Sequence, residues 1–455
     1  MQPRVLIISV NRCRNPYPVY PLGAAYIADA LRRHGCNVQV VDCGLNQDPV
    51  ACIQKCRPDF IGLSLRNIDD IRIDNTHFFV SELKDLAASI RQITNAPLIL
   101  GGSAFSLFPS ELLDYTKADY GIAGEGEKAV CMLIDTLQRA PGAPNPDSIP
   151  GLFYRLNGRI TGNPAPEQGL SFSFPERPAD LVAGYKENSS MLNIQTQRGC
   201  AFSCCYCTYP VIEGRTYRRR TPEDIGEEIE RLRMAGVGYF FIVDSVFNTS
   251  EDHVAGICEE LIRRNTGMNW GCFLRPEGIS AELMHLMAES GLLHIEFGSD
   301  SLCDPVLDAY GKRFTFDDIL RTSELARRER IHYAHFLIFG GPAETEDTMR
   351  ESYSNGHRLK RTIFFPFAGM RLYPGTPLYK RAIREKAVDP AKSLLEPYFY
   401  ITPGMTKERI GDLMNRFHAE SPNWMAGDTP PEMQKTVNGL RSKGIPGPLW
   451  EYLVS

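Results

Sequence analysis

The chain of 455 residues has no long apolar run, no disulfide-scale density of cysteine and no excess of basic charge, and each absence removes a class of protein. Nowhere do about 18 apolar residues follow one another, so no segment reads as a membrane-spanning helix. Residues 1–13 hold a short apolar run at 5–8 but lack the basic flank and small-residue cleavage site of a signal peptide. Thirteen cysteines, an odd count in a chain this long, do not make a disulfide scaffold. Reduced thiols in the cytoplasm, some of them binding metal, fit better. Fifty Lys and Arg stand against 55 Asp and Glu, a net charge of −5, so no global basic field marks a nucleic-acid binder. The one compact basic run, Arg218, Arg219 and Arg220, reads as a solvated or salt-bridged face. Of three tryptophans, Trp424 and Trp450 read as packing anchors. What remains is an ordinary globular composition, 43% hydrophobic and 23% charged, long enough for about three domains.

The order of elements predicts an α/β protein in two series. Residues 1–145 alternate short apolar β-rich runs (4–10, 38–41, 60–65, 98–100, 120–122) with amphipathic helices, the pattern of a Rossmann-like, doubly wound parallel sheet. The helix 22–34 stops at Gly35. Ligands of such a sheet sit beyond the carboxyl ends of the strands, which selects the loops 11–21, 66–75, 101–105 and 124–127. Proline-rich stretches at 141–150 and 164–178 mark residues 146–190 as a linker. Residues 191–385 hold six further βα units, with strands at 192–196, 239–243, 270–274, 294–297, 333–339 and 363–371, as in a partial (β/α)6 barrel of TIM type. Thr221, Pro222 and Glu223 open one of its helices with a capping hydroxyl, an N1 proline and an early acid. A small, mainly helical region, 386–455, follows, read as a substrate cap. Its clearest helix begins after Thr406 and carries Ile410, Leu413, Met414 and Phe417 on one face.

Directly after the first strand of the second series, four thiols fall within eight residues: Arg198, Gly199, Cys200, Ala201, Phe202, Ser203, Cys204, Cys205, Tyr206, Cys207. A structural zinc site is one reading, but no second CxxC or HxxxH pair follows to complete a tetrahedron. Three thiolates spaced C-x3-C-x2-C can instead ligate three irons of a [4Fe-4S] cluster and leave the fourth iron open.

This motif, with an aromatic residue before its last cysteine, resembles the signature of the radical S-adenosylmethionine (SAM) superfamily. The resemblance implies that Cys200, Cys204 and Cys207 hold the cluster, that SAM chelates the fourth iron, and that reductive cleavage of SAM releases a carbon radical. Cys205 is then a packed or turn residue. The family pattern further implies SAM contacts at Tyr206, at Asp244 and Ser245 (for the methionyl ammonium), at Arg275, at Glu296 and Ser299 (for the adenosyl part), and at Phe339 on the fifth strand. Asp244 also reads as a helix N-cap, Lys312 as a family lysine or a solvated one, and Gly340 and Gly341 as adenine contacts or a tight turn.

The first domain resembles the cobalamin (B12)-binding domain of a subgroup of this superfamily, through Tyr20 to Tyr26, Asp59 to Ser64, Gly101, Gly102, and Gly124 to Glu127. The resemblance implies cobalamin contacts at Gly101, Gly102, Gly124 and Glu125. The Asp-x-His-x-x-Gly segment that supplies a histidine to cobalt elsewhere is missing, and His34 and His77 read as surface or capping residues. The charged segment Arg66, Asn67, Ile68, Asp69, Asp70 suits either a corrin's amide rim or a domain that binds substrate instead. The predicted protein is a cytoplasmic radical SAM enzyme, a transferase. Its cofactors are a [4Fe-4S] cluster, SAM and, in the first reading, cobalamin. The reaction read first is cobalamin-dependent methyl transfer to an unactivated carbon or a phosphorus centre of a small molecule. The alternatives are a cobalamin-independent ring formation, rearrangement or aminocarboxypropyl transfer, and, outside enzymes, an iron–sulfur electron carrier or zinc module. Its partners are a small-molecule substrate and an electron donor such as flavodoxin or ferredoxin, with no nucleic acid and no membrane span.

Overall fold

The computed structural model describes residues 2–13, 17–139, 148–164, 171–189, 191–425 and 431–453. Five short apolar strands open the chain: β1 (Arg4–Ser9), β2 (Asn37–Asp42), β3 (Phe60–Ser64), β4 (Leu98–Gly101) and β5 (Tyr120–Ile122). They form a parallel sheet in the order β2-β1-β3-β4-β5, with helices on both faces, as continuous apolar runs require. The helix Leu22–Arg33 is followed by Gly35 at φ +92°, the left-handed position that ends it.

The sheet extends past the predicted boundary at 145. Strands β6 (Leu152–Leu156) and β7 (Arg159–Gly162) form an antiparallel hairpin that pairs with β5, so the sheet has seven strands. Asn157 and Gly158, both at positive φ, make its two-residue turn, a signal present in the sequence inside what reads as a linker. The helix Ala179–Ser189 also falls within that span, while 140–147 and 165–170 of the proline-rich stretches lie outside the described residues.

The second series begins at β8 (Leu192–Ile194). Two short strands, β9 (Gln197–Arg198) and β10 (Arg218–Arg219), clasp the intervening loop. Then come β11 (Tyr239–Ile242), β12 (Asn269–Leu274), β13 (Leu292–Asp300), β14 (His332–Phe339) and β15 (Thr362–Ala368). The order β8-β11-β12-β13-β14-β15 is wholly parallel and open between β8 and β15, a partial barrel of six strands. Hydroxyl caps at Thr221, Ser250, Ser280, Thr315 and Thr345 start the helices that cover it. Strand alternation sorts its side chains. Phe240, Ile242, Trp270, Cys272, Leu274, Ile295 and Phe297 pack outward in the main core, whereas Tyr239, Phe241, Phe273, Glu296 and Phe336 point inward.

The last region, read from the sequence as a substrate cap, packs in three places. Strand β16 (Met370–Arg371) pairs with β17 (Phe399–Tyr400), and Leu394, Leu395 and Tyr400 share a core with Leu63 and Phe105 of the first domain. The helix Lys407–Glu420 lies outside the barrel, with Ile410, Leu413, Met414 and Phe417 buried as predicted. Leu449, Trp450 and Leu453 pack against Ala334 and Ile363 at the amino-terminal ends of the strands, where Glu451 meets His294 at 3.2 Å. An amphipathic pattern fixes that a helix packs but not what it packs on. Among the described residues no helix is long and apolar enough to cross a membrane.

Candidate active site at the barrel mouth

The cysteine loop lies between β9 and β10, and its path is set by backbone groups. Gly199 takes φ +95°, and a Cβ there would stand 2.1 Å from the Thr216 carbonyl oxygen, so only glycine fits. Glu213 Oε2 accepts from Gly199 N at 3.0 Å, Cys200 N donates to Gly214 O at 2.9 Å, and Cys207 N donates to Cys204 O at 3.2 Å. Cys205 donates its N–H to Tyr310 O and accepts from Leu378 N, while its side chain packs in the core shared by the two domains. It is the packed turn residue its position predicted, and burial pushes its thiol up to about 12. Burial likewise raises Cys200 and takes Cys207 to about 12, so iron binding must displace protons from both.

The donor set, three thiols in C-x3-C-x2-C spacing on one loop, is of the kind that holds an iron–sulfur cluster. Thiolates on a [4Fe-4S] cube each bind a separate iron. Arg275, ending β12, brings Nη1 to 3.9 Å from Cys204 Sγ and lies over the Phe202 ring at 3.8 Å. Its Nε is paired with Glu277 at 2.5 Å, and among the described residues its buried Nη2 has no partner. A buried guanidinium N–H beside the cysteines is a donor waiting for an acceptor that the described residues do not supply. Tyr206 donates its hydroxyl to Asp300, which pairs with Lys312 Nζ at 2.5 Å. Burial opposes the Lys312 charge, but Asp300 outweighs it and the ammonium is raised, so Lys312 is a buried structural cation and not a solvated lysine.

Not every residue assigned from the family pattern faces this space. Ser299 is fully buried on the outer face of β13, where its hydroxyl meets His335 Nδ1 at 2.8 Å under the helix Phe316–Arg328. Phe339 also points outward, its ring parallel to Trp424 at 6.4 Å. Both expectations of direct SAM contact by these side chains fail on strand parity. Asp244 accepts from Thr196 N at 2.7 Å, Thr196 Oγ1 at 2.5 Å and Gln197 N at 3.2 Å, so it braces the start of the cysteine loop. Burial raises it to about 7 against those bonds. Ser245 Oγ donates to Gly199 O at 3.0 Å, its lone pairs remaining for a donor. Glu296 does face inward, buried, accepting from Trp450 Nε1 at 3.1 Å. The sequence does not single out Asp300 or Glu213 and marks Trp450 only as a packing anchor; for Asp300 the signal is its even position, shared with Glu296, on one strand.

The first domain presents its strand-end loops to this mouth. Glu125 pairs with Arg218 and, at 3.5 Å, with Arg198; Glu127 Oε1 lies 2.9 Å from Arg198 Nη2. The basic run is thus a salt-bridge site: Arg219 bonds Gln197 and Thr249, and Arg220 is held by Asp224 and Glu228. Asp69 forms a buried pair with Arg371 at 2.8 Å, across the domain boundary. Gly102, at φ +98°, lets its backbone lie against Leu65, where a Cβ would meet the Leu65 oxygen at 2.3 Å. At Gly101 a Cβ would meet only Ile122 O, at 4.0 Å, and Gly124 N is taken by Ser106 Oγ. The two histidines of the first domain, His34 and His77, are engaged with Asp135 and Glu82 at the surface.

Comparison with known proteins agrees with this division. Residues 194–354 match the family model described as Radical SAM superfamily, and residues 9–134 the B12 binding domain. The tryptophan 2-C-methyltransferase of Streptomyces laurentii is 26% identical over 438 residues, covering 80% of this chain and 73% of its own. The cytidylyl-2-hydroxyethylphosphonate methyltransferase of Streptomyces wedmorensis is 27% identical, covering 89% and 86%. The fold is that of the radical SAM methyltransferase TsrM from Kitasatospora setae, solved with cobalamin and a [4Fe-4S] cluster, at TM-score 0.88 and 24% identity over 100% of this chain and 97% of that one. The chain belongs to the radical SAM superfamily and carries a B12-binding domain ahead of its barrel.

Proposed function

We propose that the protein is a cobalamin-dependent radical SAM methyltransferase acting on a carbon or phosphorus centre of a small molecule. The observation that carries this reading is the facing of the cysteine loop by the strand-end loops of the first domain, clasped through Arg198 and Arg218 to Glu125 and Glu127. Two cofactors that react with each other must meet across such a boundary, away from water. Its relatives' reactions, on tryptophan and on a phosphonate, point the same way.

In this reading Cys200, Cys204 and Cys207 hold the [4Fe-4S] cluster. When bound, the cluster, SAM and cobalamin supply one-electron cleavage of a sulfonium carbon–sulfur bond and a transferable methyl group. The chain's part is binding and orientation. Arg275 offers Nη2 to a carboxylate, Ser245 accepts from an ammonium, and the Tyr206–Asp300–Lys312 chain holds the last cysteine's turn against the β13 end. We infer an electron donor of the flavodoxin or ferredoxin kind and a cytoplasmic location, the latter supported by cysteines that form no disulfide among the described residues.

The test is an anaerobic reaction of reconstituted protein with SAM deuterated in its methyl group, hydroxocobalamin, a strong reductant and pooled small metabolites. The reading predicts S-adenosylhomocysteine and label in a metabolite, both dependent on cobalamin. SAM cleavage at the same rate without cobalamin, and no label transferred, would contradict it.

A further inference from the structure

Four buried carboxylates of the chain differ in what satisfies them. Asp42 accepts from Tyr185 OH at 2.6 Å and Gly44 N at 2.9 Å; Glu344 accepts from Thr348 Oγ1 at 2.6 Å and Tyr310 OH at 3.1 Å; Asp244 takes three donors. Glu296 takes one, the indole N–H of Trp450, and among the described residues it has no ion-pair partner. Burial alone raises it, to about 7. A buried acid with no cation and one hydrogen bond is expensive unless something else completes it.

Its surroundings are mostly aromatic, and Tyr17 and Tyr239, whose hydroxyls burial and the nearby Glu296 charge hold above the usual phenol range, are polar neighbours on that side of the barrel. Glu296 lies in register between Phe273 on β12 and Ala334 on β14, and Ala334 is itself covered by Leu449 and Trp450. Phe273, two residues before Arg275 at the barrel mouth, is 37% exposed, with its ring 5.0 Å from that of Phe241. On the opposite wall Phe336 stacks on Phe365 at 5.1 Å and on Phe367 at 6.4 Å, all three half-buried. Phenylalanines lining a barrel would be fully buried if side chains filled it; partial exposure on both walls describes a chamber. Below Glu296 the chamber is shut, because Trp450, Glu451 and His294 seal the amino-terminal end, and above it opens toward Arg275 and the cysteine loop.

We propose that this chamber is the substrate site, that it takes a flat apolar molecule bearing a nitrogen donor, and that Glu296, positioned by Trp450, holds the nitrogen. Ring faces between the two phenylalanine walls supply affinity, and the carboxylate supplies orientation. Naming the bound molecule a substrate rests on the enzyme reading above, whereas the chamber's chemistry does not.

Equilibrium dialysis of the anaerobically reconstituted holoenzyme against 2-naphthylmethylamine and 2-naphthylacetate separates the two. The amine binds at least about tenfold more tightly than the acid in the wild type. Glu296→Gln, which keeps volume and the acceptor for Trp450, brings the two within about threefold, and Phe273→Ala weakens both. Trp450→Phe, keeping a ring but losing the N–H, reduces the amine preference without reversing it. Circular dichroism and iron content of each variant guard against misfolding. Equal affinities in the wild type, no binding of either probe, or an amine preference that survives Glu296→Gln overturns the proposal. SAM cleavage in the same samples keeps the readings apart: amine preference without cleavage removes the enzyme reading and leaves the chamber, and cleavage without amine preference does the opposite.

Discussion

The two faces of the barrel wall use the same aromatic residues to opposite ends. Outside, Phe297 stacks on His335, His335 on Phe364, and Phe364 on Trp424, at centroid distances of 5.2, 5.7 and 4.5 Å, and every ring of the series is buried. Inside, Phe273, Phe336, Phe365 and Phe367 stand partly open, with one under-satisfied carboxylate among them. The outer face is packing; the inner face keeps surface in reserve for something that the chain does not contain. Alternation along each strand decides which fate a residue meets, and a shift of one position exchanges them.

The largest expected effect lies at the mouth between the faces. Cys200→Ala, Cys204→Ala and Cys207→Ala each abolish the cluster, seen as loss of iron and of visible absorbance after reconstitution, while Cys205→Ala keeps most of both. Equal loss in all four would mean that the packed thiol is also a ligand.

Next is the clasp between the domains. Asp69→Ala leaves the Arg371 guanidinium buried without its carboxylate and costs about 3–5 kcal/mol in chemical denaturation. A loss under about 1 kcal/mol would show that water reaches the pair, as at a surface bridge.

On the inner face, Glu296 links stability to pH. Burial raises its carboxyl from 4.5 to about 7, so the contribution of the protonated form is complete below pH 4.5 and is lost as pH rises through about 7. Glu296→Gln removes that loss. The variant of the cofactor-free protein gains on the wild type between pH 5 and pH 8, by on the order of 2–3 kcal/mol in denaturant midpoints converted to free energy. A constant difference between the two across that range would place a cation or water beside Glu296.

The smallest effect is on the outer face. Ser299→Ala removes a hydroxyl that serves His335 and costs about 1 kcal/mol, with SAM binding unchanged by isothermal titration of the reconstituted protein. Weakened SAM binding would return Ser299 to the site.

These contrasts also show what a sequence can carry. Strand and helix positions were legible because they are written in local periodicity: each of the eleven runs read as strands coincides with an observed strand within a few residues. Local motifs were equally legible. Gly199 and the spaced cysteines form one turn, with Cys205 packed as its odd place in the spacing implied. Roles that depend on which way a side chain points were less so. Ser299 and Phe339 were chosen because their segments resemble ligand-contacting strands, although Ser299, three residues from Glu296, must face the other way. Long-range pairing was invisible: nothing local in Glu125 or Asp69 predicts an arginine 93 or 302 positions away. Their charge read as ligand contact when it was the seam between domains. The indole of Trp450, 154 residues beyond Glu296, belongs to the same class of contact.

In the proposed enzyme the cysteine loop and the first domain hold two cofactors facing one another. The most direct measurement is iron, sulfide and cobalt per chain, with the visible spectrum, in protein purified without oxygen and offered hydroxocobalamin. The expected result is about four irons with matching sulfide, together with stoichiometric cobalt that survives gel filtration. Four irons and no retained cobalt, even at high cobalamin concentration, would contradict it and leave the first domain without the partner its loops are placed to hold.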